Sequence, residues 1–589
     1  MRPVTPRAAR RRFARRSRFP RSLARSARLR WLALCVSAAL LLSSCTRQSA
    51  RQDAHTGVPN QPPVATQPTT TSNSPQPAAN PAAAKVERQG EFTYGLRDEE
   101  SERARRAEQY ERGDTEAYNR IEENPFIDVA RAPLSTFSID VDTASYSNTR
   151  RFLTEGRLPP RDAVRVEELI NYFSYDYPQP VGGAPFSVTT EVAQCPWDST
   201  HRLVLVGLQG RQLDRGQLPP ANLVFLLDVS GSMNEPNKLP LVKTALAALA
   251  EQLTARDRVA IVVYAGNSGL VLDSTAGDRK GEILAALDRL EAGGSTNGGA
   301  GIQLAYRVAA DNFIQGGINR VVLATDGDFN VGVTNAGELT RLVEEKRQTG
   351  VFLSVLGFGT GNYKDATMEQ LADKGNGNYA YIDTAAEARK VLGQQVGGTL
   401  ATIAKDVKLQ LEFNPARAAA YRLIGYENRL LRDEDFNDDT KDAGEIGAGH
   451  SVTALYEVVP AGQSWARPGV DPLKYQTPPR PSARADSDEL LTIKIRYKEP
   501  AADESKLLSA GAADRAADWQ KTSDNFRFAA SVAAFGLLLR DSRYKGAATY
   551  DNVAAVARGA AAQDPHGYRA EFVSLVETAQ RLAHQSARN

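Results

Sequence analysis

The sequence predicts an α/β protein in which a doubly wound, mostly parallel sheet is inserted into a flanking β-sandwich, with additional helical segments. The first observation is a series of continuous apolar runs of strand length between residues 221 and 400, which is typical of strands buried on both faces of a parallel sheet. The second is that helical patterns separate these runs. The third is that strand-like segments lie both before and after this region, which predicts one sandwich interrupted by an insertion.

The elements of the inserted domain follow from hydrophobic periodicity. The predicted strands are 223–227, 259–264, 321–324 and 352–358, and the predicted helices are 241–253, 283–290, 302–310 and 339–346.

The flanks have their own predicted elements. These are a strand at 134–140, helices at 146–153 and 164–173 separated by Pro159-Pro160, strands at 186–192, 203–208, 407–413, 452–459 and 490–497, and terminal helices at 526–539 and 568–583. The apolar run of the helix at 526–539 is too short for a membrane span and is flanked by Arg and Asp, so we expect a buried core helix. The densely charged stretch 97–122 is expected to be helical.

The N-terminus is typical of a targeting segment. An Arg-rich stretch ends at Arg30 and is followed by an apolar run of signal-peptide length and by Leu42-Ser43-Ser44-Cys45, which resembles the lipobox of bacterial lipoproteins. That resemblance implies that Cys45 is acylated and becomes the new N-terminus. We therefore expect a protein of the bacterial cell envelope, anchored by lipid, in the outer membrane and facing the periplasm or the surface.

Charge and cysteine content argue against a nucleic-acid partner and against an intramolecular disulfide. Residues 1–44 hold twelve Arg and no Lys or acidic residue, so the formal charge of +2 for the whole chain becomes −10 for the remainder. An acidic body argues against a nucleic-acid partner, because phosphate binding needs a basic face. If cleavage occurs before Cys45, Cys195 is the remaining thiol that is not acylated, and it cannot form an intramolecular disulfide.

These observations divide the chain into five predicted segments. They are a lipoprotein signal peptide at 1–44, a disordered Pro/Gln/Thr-rich tether at 45–95, an N-terminal flanking domain at 96–219, the inserted α/β domain at 220–398, and a C-terminal flanking domain at 399–589.

One predicted strand runs directly into a loop rich in oxygen-bearing side chains. Asp228 follows 223–227, and its spacing with Ser230 and Ser232 can turn one carboxylate and two hydroxyls towards a small ion, while Gly231 allows tight curvature. In open α/β sheets, ligands bind at the carboxyl ends of the strands. Two further loops are expected at the same edge, one presenting Thr296 in a Gly-rich stretch and one presenting Asp326 after 321–324.

All five of these candidates are hard oxygen ligands. With neither His nor Cys among them, the set favours Mg²⁺, with Mn²⁺ or Ca²⁺ as alternatives, over Zn²⁺ or copper.

The three loops, in this order and spacing, resemble the metal-ion-dependent adhesion site of von Willebrand factor type A domains over about 220–398. Regions of about 115–215 and 400–580 resemble the flanking domains of a bacterial lipoprotein subfamily called YfbK-like, on the segments 121–125, 134–142, 421–430 and 447–456. The resemblance implies that Ser230, Ser232 and, in the ligand-bound form, Thr296 coordinate the ion directly, whereas Asp228 and Asp326 act wholly or partly through water. It also implies that an Asp or Glu carboxylate of a partner protein completes the coordination.

Weaker signals leave alternatives open. Asp140 and Asp142 could be a second metal pair, but we favour the end of a strand and a cap for the next helix. Asp328 could hydrogen-bond the metal's outer shell or be exposed. His450 is expected to be structural, and Cys195 to be a buried small hydrophobe.

We therefore expect an envelope-anchored, metal-dependent binding or scaffolding protein rather than an enzyme. One alternative is a metal-assisted hydrolase or phosphotransferase using Asp228, although the Asp-x-Asp pattern of such enzymes is broken by Ser230 and no other hydrolase or nucleotide motif is present. Another is a metal that serves stability only.

Overall fold

A computed structural model describes residues 116–589, except for 267, 295–297, 328–335, 362, 395–400, 468, 470, 472–473, 476–479, 563, 587 and 589. The predicted signal peptide with Cys45 and the predicted tether lie outside the described residues.

The inserted domain is built on a six-stranded sheet. Its strands are β5 (Ala221–Asp228), β6 (Arg258–Tyr264), β7 (Ser268–Ala276), β8 (Ile318–Thr325), β9 (Phe352–Phe358) and β10 (Tyr379–Ile382). Their order across the sheet is β10-β9-β8-β5-β6-β7, and every neighbouring pair is parallel except β6 and β7. The doubly wound, mostly parallel sheet is therefore confirmed.

Helices cover both faces of this sheet. They are α3 (Leu239–Gln252), α4 (Lys280–Asp288), α5 (Gly298–Asp311), α6 (Ala336–Arg347), α7 (Asp365–Lys374) and α8 (Ala385–Arg389). In β5, Leu223, Phe225 and Leu227 belong to the core on one face, and Val224 and Leu226 to the core on the other. Burial on both faces is the reason for the uninterrupted apolar run that predicted this strand.

The flanking strands form two antiparallel sheets. They are β1 (Ile127–Asp128), β2 (Leu134–Ser138), β3 (Phe186–Cys195), β4 (Asp198–Gly210), β11 (Thr402–Phe413), β12 (Ala418–Ile424), β13 (Gly444–Gly447), β14 (Ser451–Pro460), β15 (Glu489–Lys498) and β16 (Lys506–Ala513). One sheet has the order β1-β12-β14-β4-β3, and the other has β13-β11-β15-β16 with β2 paired to β11. Side chains of both sheets share one core, so strands from before and after the insertion form the predicted sandwich.

A helical layer completes the flanking part. It consists of α1 (Ala144–Thr154), α2 (Val166–Asn171), α9 (Asp524–Leu539), α10 (Tyr550–Gly559) and α11 (Tyr568–Ser586). The apolar helix α9 lies in the middle of a large apolar cluster, which confirms the buried core helix predicted at 526–539. Among the described residues, no helix combines the length and the apolar character needed to cross a membrane.

Two expectations about the flanks are wrong for the described residues, which do not include 97–115. The described part of 97–122, which begins at Glu116, contains no helix; instead, Ala117 forms an isolated parallel bridge with Lys364 of the inserted domain. Asp140 and Asp142 do not cap α1, whose N-cap is Thr143 without a side-chain cap bond. The Asp142 carboxylate is buried and accepts a hydrogen bond of 2.7 Å from the backbone N–H of Tyr379 instead.

A buried ionic cluster joins the inserted domain to the helical layer. The guanidinium of Arg150 on α1 donates two hydrogen bonds to the Asp383 carboxylate, at 2.8 and 2.6 Å, and one to Glu387 at 2.7 Å. It also donates to Glu571 on α11 at 3.1 Å. Because Asp383 and Glu387 flank the start of α8, this cluster fixes the end of the inserted domain against its neighbours.

Candidate metal site

The sheet order places the candidate site at a switch point. From β5 the chain proceeds to β6 on one side and later crosses to β8 on the other side, so the loops after β5 and β8 leave the sheet in opposite directions. Such a crevice at the carboxyl ends of parallel strands is where open α/β sheets bind ligands. Asp228 ends β5 and Asp326 directly follows β8, so both carboxylates lie at this crevice.

Asp228 is fully buried and held by its neighbours. Its carboxylate accepts a hydrogen bond of 2.9 Å from the backbone N–H of Ser230 and one of 3.4 Å from the Thr325 hydroxyl. Burial, with a smaller contribution from the nearby charge of Asp326, raises the pKa of Asp228 to about 6, although the hydrogen bonds from Ser230 lower it. Because ionising Asp228 in this buried position costs free energy, a cation beside it would stabilise the ionised carboxylate.

The two serines of the loop lie side by side. The Oγ atoms of Ser230 and Ser232 are 3.0 Å apart. Ser232 is exposed to solvent, whereas Ser230 is buried. A short 3₁₀ turn at Gly231–Asn234 gives the loop this curvature. Ser232 therefore lies on the accessible side of the cluster, whereas Ser230 and Asp228 are buried.

The second carboxylate has an unexpected partner. Asp326 is 1% exposed, and the ammonium group of Lys238 donates to its Oδ2 at 3.2 Å. Gly327, the next residue, adopts a φ of +92°, a conformation that glycine allows at little cost, and its backbone N–H donates to the Thr325 hydroxyl at 3.1 Å.

The Gly-rich loop before α5 is bonded to the Asp228 loop. Gly293 donates its backbone N–H to the Val229 carbonyl at 2.8 Å, and Gly231 donates to the Gly294 carbonyl at 3.0 Å. We predicted from the sequence that these two loops lie at the same edge of the sheet, and these hydrogen bonds join them there. Thr296 itself lies outside the described residues, as does Asp328.

The structure thus brings together four of the five predicted metal-site residues: Asp228, Ser230, Ser232 and Asp326. Two carboxylates and two hydroxyls, with no soft ligand among them, fit a hard cation such as Mg²⁺ or Mn²⁺. The buried Asp228 points in the same direction, because burial raises its pKa and a nearby cation would stabilise its ionised form.

Sequence reasoning missed Lys238. The residue precedes α3 and is 5% exposed, although in the sequence it is an ordinary polar residue at a helix start. No local pattern marks a lysine whose partner is 88 residues away in the chain.

A second group of possible ligands lies in the flanking sandwich. Nδ1 of His201 lies 2.6 Å from Oε1 of Glu457 and 3.5 Å from Oδ2 of Asp198. Glu457 is already paired with the buried Arg422, at 2.7 Å from Oε2. We interpret this group as a hydrogen-bonded cluster that satisfies a buried carboxylate.

The remaining sequence candidates lie away from the crevice. Cys195 is buried, which confirms the expectation of a buried small hydrophobe, and burial raises the pKa of its thiol well above the usual range. His450 lines a cavity of about 430 Å³ near the amino ends of β9 and β10, together with Asp142 and Tyr379. Burial lowers the pKa of His450, which favours the neutral imidazole.

A smaller cavity of about 200 Å³ lies close to the candidate site. Its lining includes Asn237 and Gly359, which adjoin Lys238 in sequence and in space, and Arg151 from α1 of the flanking part. This cavity is therefore lined by residues of both the inserted domain and its flank.

Comparison with known proteins agrees with this architecture. Residues 222–394 match the family model described as "von Willebrand factor type A domain", residues 112–205 match "von Willebrand factor", and residues 398–582 match "Uncharacterized protein YfbK, C-terminal". The fold and the site therefore define a protein with a von Willebrand factor type A domain, a class whose domain suggests a role in protein interaction or adhesion.

The flanking matches define the family more narrowly. YfbK of Escherichia coli (strain K12) is 46% identical over 473 residues, which cover 79% of this chain and 81% of that protein. The chain belongs to the YfbK family.

More distant similarity is confined to smaller parts of the chain. The human inter-alpha-trypsin inhibitor heavy chain H4 is 29% identical over 163 residues, or 26% of this chain and 17% of that protein. Among solved structures, a von Willebrand factor type A protein from Catenulispora acidiphila is 15% identical, with 62% of this chain and 80% of that chain covered and a TM-score of 0.36.

Proposed function

We propose that this protein is a metal-dependent binding or scaffolding protein that captures an acidic group of a partner protein at the crevice between β5 and β8. The observation that carries the proposal is the cluster of Asp228, Ser230, Ser232 and Asp326 at the switch point. Thr296 is the fifth proposed ligand, on the sequence pattern alone.

The division of labour follows from burial. The buried Asp228 and Asp326 supply negative charge behind the ion, while Ser232 lies on the accessible side. A hard cation bound here would act as a Lewis acid that accepts one oxygen of a partner's Asp or Glu. In the proposed arrangement, the serine hydroxyls hold the cation without adding charge, so it retains affinity for an external carboxylate.

The same residues favour binding over catalysis. Residues 220–398 contain neither His nor Cys, and Lys238 at this crevice is paired with Asp326. Ser230 occupies the position where a phosphotransferase of the Asp-x-Asp type has its second Asp. We therefore propose a protein without enzymatic activity, anchored in the bacterial envelope through Cys45 and a tether over 45–95.

Cross-linking and pull-down from envelope extracts test the proposal. The full chain is used as bait in Mg²⁺ and in EDTA, beside Asp228→Ala, which removes a buried carboxylate of the site. We expect partners that are retained by the wild type in Mg²⁺, lost in EDTA and by the variant, and displaced by excess acetate. Retention of the same partners in EDTA would contradict the proposal, and turnover of p-nitrophenyl phosphate that Asp228→Ala abolishes would favour the hydrolase.

A loss of thermal stability in EDTA, with unchanged partner retention, would instead favour a metal that serves stability only. Melting curves of the wild type with and without Mg²⁺, recorded beside the pull-down, separate this outcome from the first.

A further inference from the structure

Lys238 places a buried positive charge beside the proposed metal site. It is 5% exposed and donates to Oδ2 of Asp326, which is 1% exposed, at 3.2 Å. Lysine is almost never buried to this extent unless it is paired, because removing the ammonium group from water is costly. The ion pair with Asp326 therefore has to offset this desolvation free energy in the folded protein.

The neighbouring loop is shaped to accept this side chain. Gly359 directly follows β9 and adopts a φ of +74°. A Cβ atom built on Gly359 would overlap the Lys238 side chain, with Cγ only 2.7 Å away. The Gly359 carbonyl accepts a hydrogen bond of 2.7 Å from the Tyr381 hydroxyl, which holds the loop in place. Two separate parts of the chain thus contribute to the position of one lysine.

Counting charges indicates what this lysine does. Among the described residues of the site, Asp228 and Asp326 carry two negative charges and Lys238 one positive charge, so these three side chains have a net charge of −1. A divalent cation would leave the site with a net charge of +1, which matches a single carboxylate. Without Lys238 the same cation would be neutralised by the protein, and the attraction for an external carboxylate would be weaker.

We infer that Lys238 is a specificity-determining residue of the site: its ammonium group lowers the affinity for the cation and raises the affinity of the loaded site for a carboxylate. The inference rests on the proposed function. Lys238 is not itself a metal ligand in this proposal. It acts through the electrostatic effect of its positive charge on Asp326 and on the crevice.

Two uncharged variants and a matched control test the inference on the full chain. Lys238→Met keeps the aliphatic stem over Gly359 and removes the charge, whereas Lys238→Gln also removes the charge but retains a hydrogen-bond donor for Asp326. The control is Lys243→Met on the same helix, since Lys243 bonds the Asp288 carbonyl away from the site and its loss changes the net charge equally. Mn²⁺ affinity is measured by calorimetry, and acetate binding to the Mn²⁺-loaded protein by water-proton relaxation.

We expect Lys238→Met and Lys238→Gln each to bind Mn²⁺ at least about tenfold more tightly than the wild type, and to bind acetate at least about tenfold more weakly when loaded. Lys243→Met should change neither affinity. A lysine that merely orders Asp326 would give the opposite sign for Mn²⁺ in Lys238→Met, with recovery in Lys238→Gln, and would overturn the inference.

Unchanged affinities in both uncharged variants, with Mn²⁺ bound normally, would overturn this inference and leave the proposed function standing. Absence of Mn²⁺ binding in the wild type and in both variants would overturn the proposed function and the inference together. Should Lys238→Met fail to fold by circular dichroism, Lys238→Gln decides the question.

Discussion

The carboxylate of Asp142, in the segment that leads into α1, accepts a 2.7 Å hydrogen bond from the backbone N–H of Tyr379, the first residue of β10. The two residues are 237 positions apart, and the bond joins the N-terminal flank to the edge strand of the inserted sheet. Arg429, from the C-terminal flank, donates to the other oxygen of Asp142 at 3.3 Å. One buried carboxylate therefore connects three parts of the chain.

Replacing Asp142 should weaken this junction. In Asp142→Ala, the Tyr379 amide loses its acceptor and Arg429 loses one of its carboxylates, so we expect the free energy of unfolding to fall by about 2–4 kcal/mol. Urea denaturation monitored by circular dichroism measures the change. Asp503→Ala is the control, because the Asp503 carboxylate is fully exposed and its ion pair with Lys405 is long, at 3.8 Å. The free energy of unfolding of this control should stay within about 0.5 kcal/mol of the wild-type value.

The buried Arg150 cluster makes a stronger prediction. Arg150→Met leaves the carboxylates of Asp383 and Glu387 buried without their guanidinium partner, so we expect a loss of about 3–5 kcal/mol in unfolding free energy. Arg558→Met removes an ion pair with Glu577 whose side chains are 58% and 45% exposed, and should cost at most about 1 kcal/mol. Equal effects of the two substitutions in thermal or urea denaturation would contradict the assignment of Arg150 to a buried junction.

Metal binding should depend on pH through Asp228. Because burial raises its pKa to about 6, a proton competes with the cation below that pH, and no such competition remains well above it. We expect a constant Mg²⁺ affinity above about pH 7 and a decline approaching tenfold for each pH unit below about pH 6. Calorimetry between pH 5 and pH 8, in buffers with different ionisation enthalpies, measures both affinity and released protons. An affinity that rises on acidification would be inconsistent with this assignment.

Asp228 should also affect the stability of the metal-free protein. Its folded pKa of about 6 lies above the ordinary aspartate pKa of about 4, so the folded state binds more protons than the unfolded state between these values. Its contribution to stability therefore falls as the pH rises from about 4 to about 6, and bound Mg²⁺ should restore it. Asp228→Asn, which cannot ionise, should lack this component when urea denaturation is compared at pH 4.5 and pH 7, and an unchanged pH dependence would argue against it.

The sequence allowed the central sheet and the sandwich to be predicted because burial imposes continuous or alternating apolar patterns. Strand β5 is buried throughout, so its run of apolar residues is unbroken, whereas the edge strand β7 is largely half-exposed and showed no clear pattern. The Asp228 loop was predictable for another reason, since it directly continues a recognisable strand. In these cases, the residues that determine the structure lie close together in the sequence or form a pattern that repeats along it.

The roles of Lys238 and Asp142 were not predictable in this way. Each depends on partners far along the chain, Asp326 for Lys238, and Tyr379 and Arg429 for Asp142. Neither set of contacts produces a periodic pattern in the sequence. The favoured interpretation of Asp142 as a helix cap failed because a backbone amide of the inserted domain takes its carboxylate instead. Thr296 remains a prediction from the sequence.

The most direct test of the central claim is a calorimetric titration of Mg²⁺ and Mn²⁺ into the chelator-treated full chain, with wild type and Asp228→Ala side by side at pH 7.5. The account predicts one cation bound for each wild-type chain and none for the variant, with both proteins folded by circular dichroism. Equal binding by the two proteins, or none by the wild type even with acetate added to complete the coordination, would contradict a metal site between β5 and β8.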